Sequence, residues 1–93
     1  MLAKLTRIDK QLAKQGYKKI GENKYGVMYR KINYIYDYTQ RLDIRLSASG
    51  YGFIVSFRES ENDDNHASVA MNYQLTKIAI KKLKQMKRKY GWD

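Results

Sequence analysis

Ninety-three residues carry 19 Lys and Arg against 9 Asp and Glu, a formal charge of +10, with no cysteine and no proline. That length suits a single domain over residues 1–93, burying roughly 60–65% of the surface its unfolded chain exposes. The missing cysteines exclude a disulfide framework and a thiolate metal site, and no apolar run approaches the ~20 residues of a membrane span.

The first residues carry bases every few positions instead of the apolar centre of a secretory signal, so a cytoplasmic chain is expected. Leu2, Leu5, Ile8 and Leu12 recur at helical spacing, which predicts a helix over about 2–15. Arg7 and Lys14 fall on its opposite face and Asp9 near its apolar edge. Gly16 then ends the helix, and Tyr17 can pack back onto Leu12.

From Tyr25 the period changes to two. Tyr25, Val27 and Tyr29, then Tyr34, Tyr36 and Tyr38, then Leu42, Ile44 and Leu46, then Tyr51, Phe53, Val55 and Phe57 each predict the buried side of a strand. Turns are expected at Gly21-Glu22-Asn23, at Lys31-Ile32-Asn33 and, as a hairpin, at Ser47-Ala48-Ser49-Gly50. Residues 59–66 read as a polar loop, and Ala67, Val69 and Met71 as a short last strand.

Asn72 is placed to cap a final helix. Its apolar face is Leu75, Ile78, Ala79, Leu83, Met86 and Tyr90. Lys77, Lys81, Lys84 and Arg88 follow one another at i, i+4, i+7 and i+11 on the other side, and Lys82, Lys87 and Lys89 are read as widening that basic surface. Gly91-Trp92 repeats the glycine-aromatic ending, with Trp92 expected against Met86. Ile80 lies off the apolar face and has no explanation in the sequence. The whole predicts an α+β two-layer domain: an antiparallel sheet of four or five strands with the N- and C-terminal helices on one face. The other face would carry Arg41, Asp43, Arg45, Ser56 and Arg58.

Charge is distributed unevenly along this outline. Residues 1–19 hold six bases and one acid, residues 72–93 seven bases and one acid, and residues 20–71 six bases and seven acids. Both basic ends coincide with amphipathic helices. A lysine row without interleaved acids can track a phosphate backbone, because each neutralised phosphate releases counterions. The same row could merely solvate the protein, although a surface made for solubility usually mixes both signs.

Other candidates carry less. Nine tyrosines suit strands, where rings pack and hydroxyls stay wet, and the alternation assigns most of them to the covered face, against a base-stacking platform. Glu59, Glu61, Asp63 and Asp64 lack the spacing and glycine of a calcium loop. His66 is the sole histidine and has no recognisable nucleophile or acid to work with, so no catalytic residue, metal or cofactor is expected. Gly21, Gly26, Gly50 and Gly52 fit turns and bends and form no phosphate-binding loop.

Leu5-Thr6-Arg7-Ile8-Asp9-Lys10, Gly16-Tyr17, Glu22-Asn23-Lys24-Tyr25-Gly26, Leu83-Lys84-Gln85-Met86 and Gly91-Trp92 together resemble small uncharacterised proteins encoded by phages and prophages of Gram-positive bacteria. The resemblance implies a cytoplasmic accessory protein and assigns no functional residue. The function expected from the residues is non-enzymatic binding of DNA or RNA through Lys77, Lys81, Lys84 and Arg88, extended by Arg7 and Lys14. The alternative is a protein-interaction or self-association module, pairing with an acidic protein or a second copy through a sheet face or strand edge.

Overall fold

The computed structural model describes residues 5–33, 38–60 and 63–92. Their order is α1 (Arg7–Lys14), β1 (Lys18–Asn23), β2 (Gly26–Asn33), β3 (Tyr38–Leu46), β4 (Gly52–Ser60), β5 (Asp63–Ser68) and α2 (Tyr73–Tyr90). The strands form an antiparallel meander in the order β1-β2-β3-β4-β5. Leu2, Tyr34 and Tyr36 lie outside the described residues.

Helix α1 is shorter than its apolar spacing predicts because Thr6 starts it with a capping box. Thr6 Oγ1 accepts from the Asp9 N–H at 3.2 Å, and Asp9 Oδ2 accepts from the Thr6 N–H at 3.0 Å. Leu5 consequently precedes the helix and is exposed. Helix α2 matches its expected face. Asn72 Oδ1 accepts from the Leu75 N–H at 2.8 Å, and Gly91, at φ 71°, ends the helix in the left-handed conformation that favours glycine. Trp92 follows into the buried cluster that also holds Met86.

Val27 and Tyr29 of β2 and Leu42 and Ile44 of β3 stand opposite one another and share the core side of the sheet. They join Leu12, Tyr17, Leu75, Ala79, Met86 and Trp92 in one buried cluster. Helix α1 packs on β1 and α2, and α2 packs on β3 and β4. The Ser47–Gly50 hairpin forms as expected, with the Gly50 N–H donating to the Ser47 carbonyl at 3.0 Å.

Several sequence expectations are corrected. Gly21-Glu22-Asn23 is the end of strand β1, and Lys31-Ile32-Asn33 continues β2. The polar stretch is not a plain loop: β4 runs to Ser60, and the last strand is Asp63–Ser68, earlier than the Ala67-Val69-Met71 alternation placed it. Most consequential, β4 is turned over. Phe53, Val55 and Phe57 stand opposite Arg45, Asp43 and Arg41 on the face away from the core, while Gly52, Ile54 and Ser56 take the core side opposite Leu46, Ile44 and Leu42. Ser56 and Arg58 therefore do not join Arg41, Asp43 and Arg45.

The reason is room. A Cβ at position 52 would lie 2.5 Å from Leu83 Cδ1 and 3.1 Å from Trp92 Cε3. Glycine at position 52 on the core side of β4 lets α2 and Trp92 sit this close; a phenylalanine there would push them off. Gly52→Val is accordingly expected to cost about 1–3 kcal/mol by overpacking, read as a lower urea midpoint with an unchanged m-value.

Candidate nucleic-acid interface

Helix α2 presents its cations because its apolar residues are spaced to bury the other side. Leu75, Ala79 and Met86 are buried, whereas Lys77, Lys81, Lys84 and Arg88 are all exposed. At 1.5 Å per residue the row spans about 16 Å along the helix. Among the described residues none of the four has a carboxylate within ion-pair distance. Lys77 Nζ stands over the Tyr73 ring at 5.2 Å, a contact that leaves its charge in water. Arg7, Lys10 and Lys14 are exposed on α1, which packs beside α2.

Lys82 does not belong to this surface. It is 1% exposed and forms the centre of a buried polar network. Its ammonium reaches Asp9 Oδ1 at 3.0 Å and Glu22 Oε1 at 3.2 Å, and donates to Gln85 Oε1 at 2.7 Å. Lys19 Nζ bridges the same two carboxylates, at 3.1 Å from Asp9 Oδ2 and 2.9 Å from Glu22 Oε1. Two buried lysines and two buried carboxylates thus alternate around a closed square.

The square is saturated. Asp9 is approached by four donors: the Tyr29 hydroxyl, Lys82, Lys19 and the Thr6 N–H. Glu22 is approached by Lys19, Lys82, Lys89 and the Tyr90 hydroxyl, the last two at 2.7 Å. Four donors fill the lone-pair capacity of a carboxylate. Lys89, with its head in solvent, is the one cation of the C-terminal turn drawn into this network.

Saturation governs ionisation. Burial alone would raise the Asp9 carboxyl, but the hydrogen bonds from Tyr29, Thr6 and Lys82 outweigh it and hold Asp9 well below the usual carboxylate range. Burial likewise opposes the charge of Glu22, and the donors Lys89, Lys19 and Tyr90 bring it down to about 2. Tyr29 is pushed far up by burial and by its bond to Asp9.

Unfolded, the two carboxyls titrate near 3.8 and 4.5. Their folded values are lower, so the unfolded chain binds more protons in the interval between. The stability they supply is whole above about pH 4.5 and drains away as pH falls through 4 towards 2. A urea-midpoint series followed by circular dichroism is expected to be flat from about pH 5 to 8 and to fall steeply below that window.

The face of the sheet away from the core holds a second, more exposed network. Arg41 donates to Asp43 Oδ1 at 2.8 Å and to Glu59 Oε1 at 2.9 Å, and Arg45 reaches Asp43 Oδ2 at 3.1 Å. Arg41 also stacks over the Phe57 ring at 5.3 Å. Beside these charges Phe53 and Val55 are each 37% exposed.

Glu59 is thus a strand residue with arginine partners. The side chain of His66 lies outside the described residues, and among those described no group of three or more potential metal ligands converges. No helix among the described residues is long and apolar enough to cross a membrane. Comparison with protein families, curated proteins and solved structures returns no match.

Lys82 is the residue that the sequence pattern misplaced, and a signal for its burial exists. Lys82 stands seven residues after Leu75, three after Ala79 and four before Met86, which is the apolar stripe itself. Asp9 stands between Ile8 and Leu12. A lone lysine on one apolar face and a lone aspartate on another predict each other as partners, because neither could be buried unpaired.

Proposed function

We propose that this chain is a non-enzymatic accessory protein that binds nucleic acid, DNA or RNA, through backbone phosphates and without reading sequence. In this reading both helices lie on one face of the sheet, and Lys77, Lys81, Lys84 and Arg88 on α2 carry the charge contact. Arg7 and Lys14 on α1 extend it. The observation that carries the proposal is the contrast within α2. Lys82 and Lys89 are tied to Asp9 and Glu22, while the four cations of the outer row are exposed without a carboxylate partner among the described residues. Structural cations on this helix have anions of their own; the row is left for anions from elsewhere.

Phosphate contact of this kind is salt-dependent. The test is a titration of a labelled oligonucleotide of arbitrary sequence from low to high salt. Binding at low salt that weakens linearly on a log–log plot supports the proposal, and no binding at low salt ends it.

One observation favours a second reading. Phe53, Val55 and the 54% exposed Ile32 lie away from the core, where a water-facing side would ordinarily be polar. This face would suit association with a second copy, for which light scattering coupled to size exclusion is the test. A monomer at all attainable concentrations removes that reading and leaves the first untouched.

A further inference from the structure

We infer that the β1–β2 turn stacks an unpaired base on Tyr25, which makes single-stranded nucleic acid the preferred polymer; this rests on the phosphate-binding reading above. The two-residue turn Lys24-Tyr25 is fixed from three directions. The Tyr25 N–H donates to Asn23 Oδ1 at 2.8 Å, and the Tyr25 carbonyl accepts from the Leu46 N–H at 2.9 Å. The Lys24 carbonyl accepts from Trp92 Nε1 at 2.9 Å, so the chain immediately after α2 clamps the turn.

The backbone is held in this way while the ring it carries is left out. Tyr25 is 61% exposed, and Lys24 Nζ stands 5.1 Å from its centroid. Tyr25 lines two clefts. One, of about 280 Å³, is also lined by Lys24, Gly50, Tyr90 and Trp92; the other, of about 510 Å³, includes Asn23, Met28 and Arg45. Tyr51, beside Gly50 in the β3–β4 turn, is a second exposed aromatic at the same end of the sheet. An aromatic on a rigid mount with a cation against it meets the stacking requirement of single-strand binding, since every base offers a π-face.

The position relates this platform to the phosphate row. The row of cations ends at Arg88, three residues before Gly91, and Gly91 and Trp92 line the smaller cleft. A strand following the row towards the C-terminal end of α2 arrives at Tyr25. A duplex can use the row, but its bases are stacked on one another and cannot use the ring.

The experiment compares the native chain with Tyr25→Ala and Tyr25→Phe, each titrated at low salt with a short oligothymidylate and with a duplex of equal length. Trp92, the sole tryptophan, lines the same cleft and supplies an intrinsic fluorescence signal beside anisotropy. The expected result is tighter binding of the single strand by the native chain. Tyr25→Ala should lose roughly 5- to 150-fold of that affinity, a change typical of one stacked base. Duplex binding should be unaltered, and Tyr25→Phe should bind as the native chain does. Unchanged single-strand affinity in Tyr25→Ala, or an equal loss on both polymers, overturns the inference while the phosphate row stands. Absence of binding to either polymer overturns both.

Discussion

Lys82→Ala is expected to destabilise the fold by about 3–5 kcal/mol, the cost of breaking a buried ion pair from one side. Lys81→Ala, at the preceding position, is expected to change stability by no more than about 0.5 kcal/mol. The difference follows from what each ammonium leaves behind. Removing Lys82 takes one donor from Asp9 and one from Glu22 and leaves Gln85 Oε1 without its lysine. It also leaves the two carboxylates with Lys19, its side chain 6% exposed, as the cation that bridges them. Removing Lys81 leaves only water behind. For a 93-residue chain whose total stability is of order 5–14 kcal/mol, the Lys82 loss is a large fraction of the whole. Urea or thermal unfolding of the two variants measures it. A Lys82→Ala cost below about 1 kcal/mol would mean that the ammonium does not sit enclosed between the carboxylates.

The same network explains its own conservative requirements. Lys82→Met replaces the ammonium with an apolar group of similar length and still strips both carboxylates of a donor, so burial restored without charge is not a rescue. Asp9 combines the network with the start of α1, since its Oδ2 both closes the capping box and receives Lys19. α1, β1 and α2 supply the square, through Asp9, Lys19 with Glu22, and Lys82, and β2 joins the network through the Tyr29 hydroxyl on Asp9, so the network fixes how these four elements meet.

This is also where sequence pattern and structure part company. The hydrophobic period locates α2 almost to the residue, because its stripe of Leu75, Ala79 and Met86 is bounded by a side-chain cap at Asn72 and a glycine stop at Gly91. The core sides of β2 and β3 are equally legible in Val27, Tyr29, Leu42 and Ile44. Strand β1 is not, for two physical reasons. Its residues in the network are charged, Lys19 and Glu22, and the register shift between Lys19 and Gly21 spaces them by three instead of two. Strand β4 misleads because its more apolar set faces away from the core. The packing distance of α2 decided its orientation, and nothing within residues 52–60 reports that distance. Strand β5, Asp-Asp-Asn-His-Ala-Ser, has little strand propensity of its own and exists by pairing with β4. The outer cation row was legible in full as a pattern, since i, i+4, i+7 and i+11 define a helix face once the helix is granted. The Tyr25 mount was not, because it depends on Trp92 reaching Lys24 across 68 positions of the chain.

Converting Lys77, Lys81, Lys84 and Arg88 together to glutamine is expected to have the largest effect on binding while leaving the fold intact. All four side chains are exposed on the outer side of α2, and glutamine keeps length and helix propensity close to those of lysine. Each phosphate contact contributes about 0.7 to the log–log salt slope on a single strand and about 0.9 on a duplex. Four contacts account for a slope of roughly 3–3.5, equal to about a hundredfold change in affinity between 50 and 200 mM salt. The variant should therefore bind far more weakly at low salt and keep only the shallow slope that Arg7 and Lys14 supply. Single substitutions in the row should each lower the slope by about 0.7–0.9. Lys87→Gln, exposed on α2 but outside the i, i+4, i+7, i+11 row, separates a defined contact row from general basicity. If Lys87→Gln lowers the slope as much as Lys81→Gln does, net charge and not the row is what binds. If the fourfold variant keeps both affinity and slope, phosphates do not meet α2 at all.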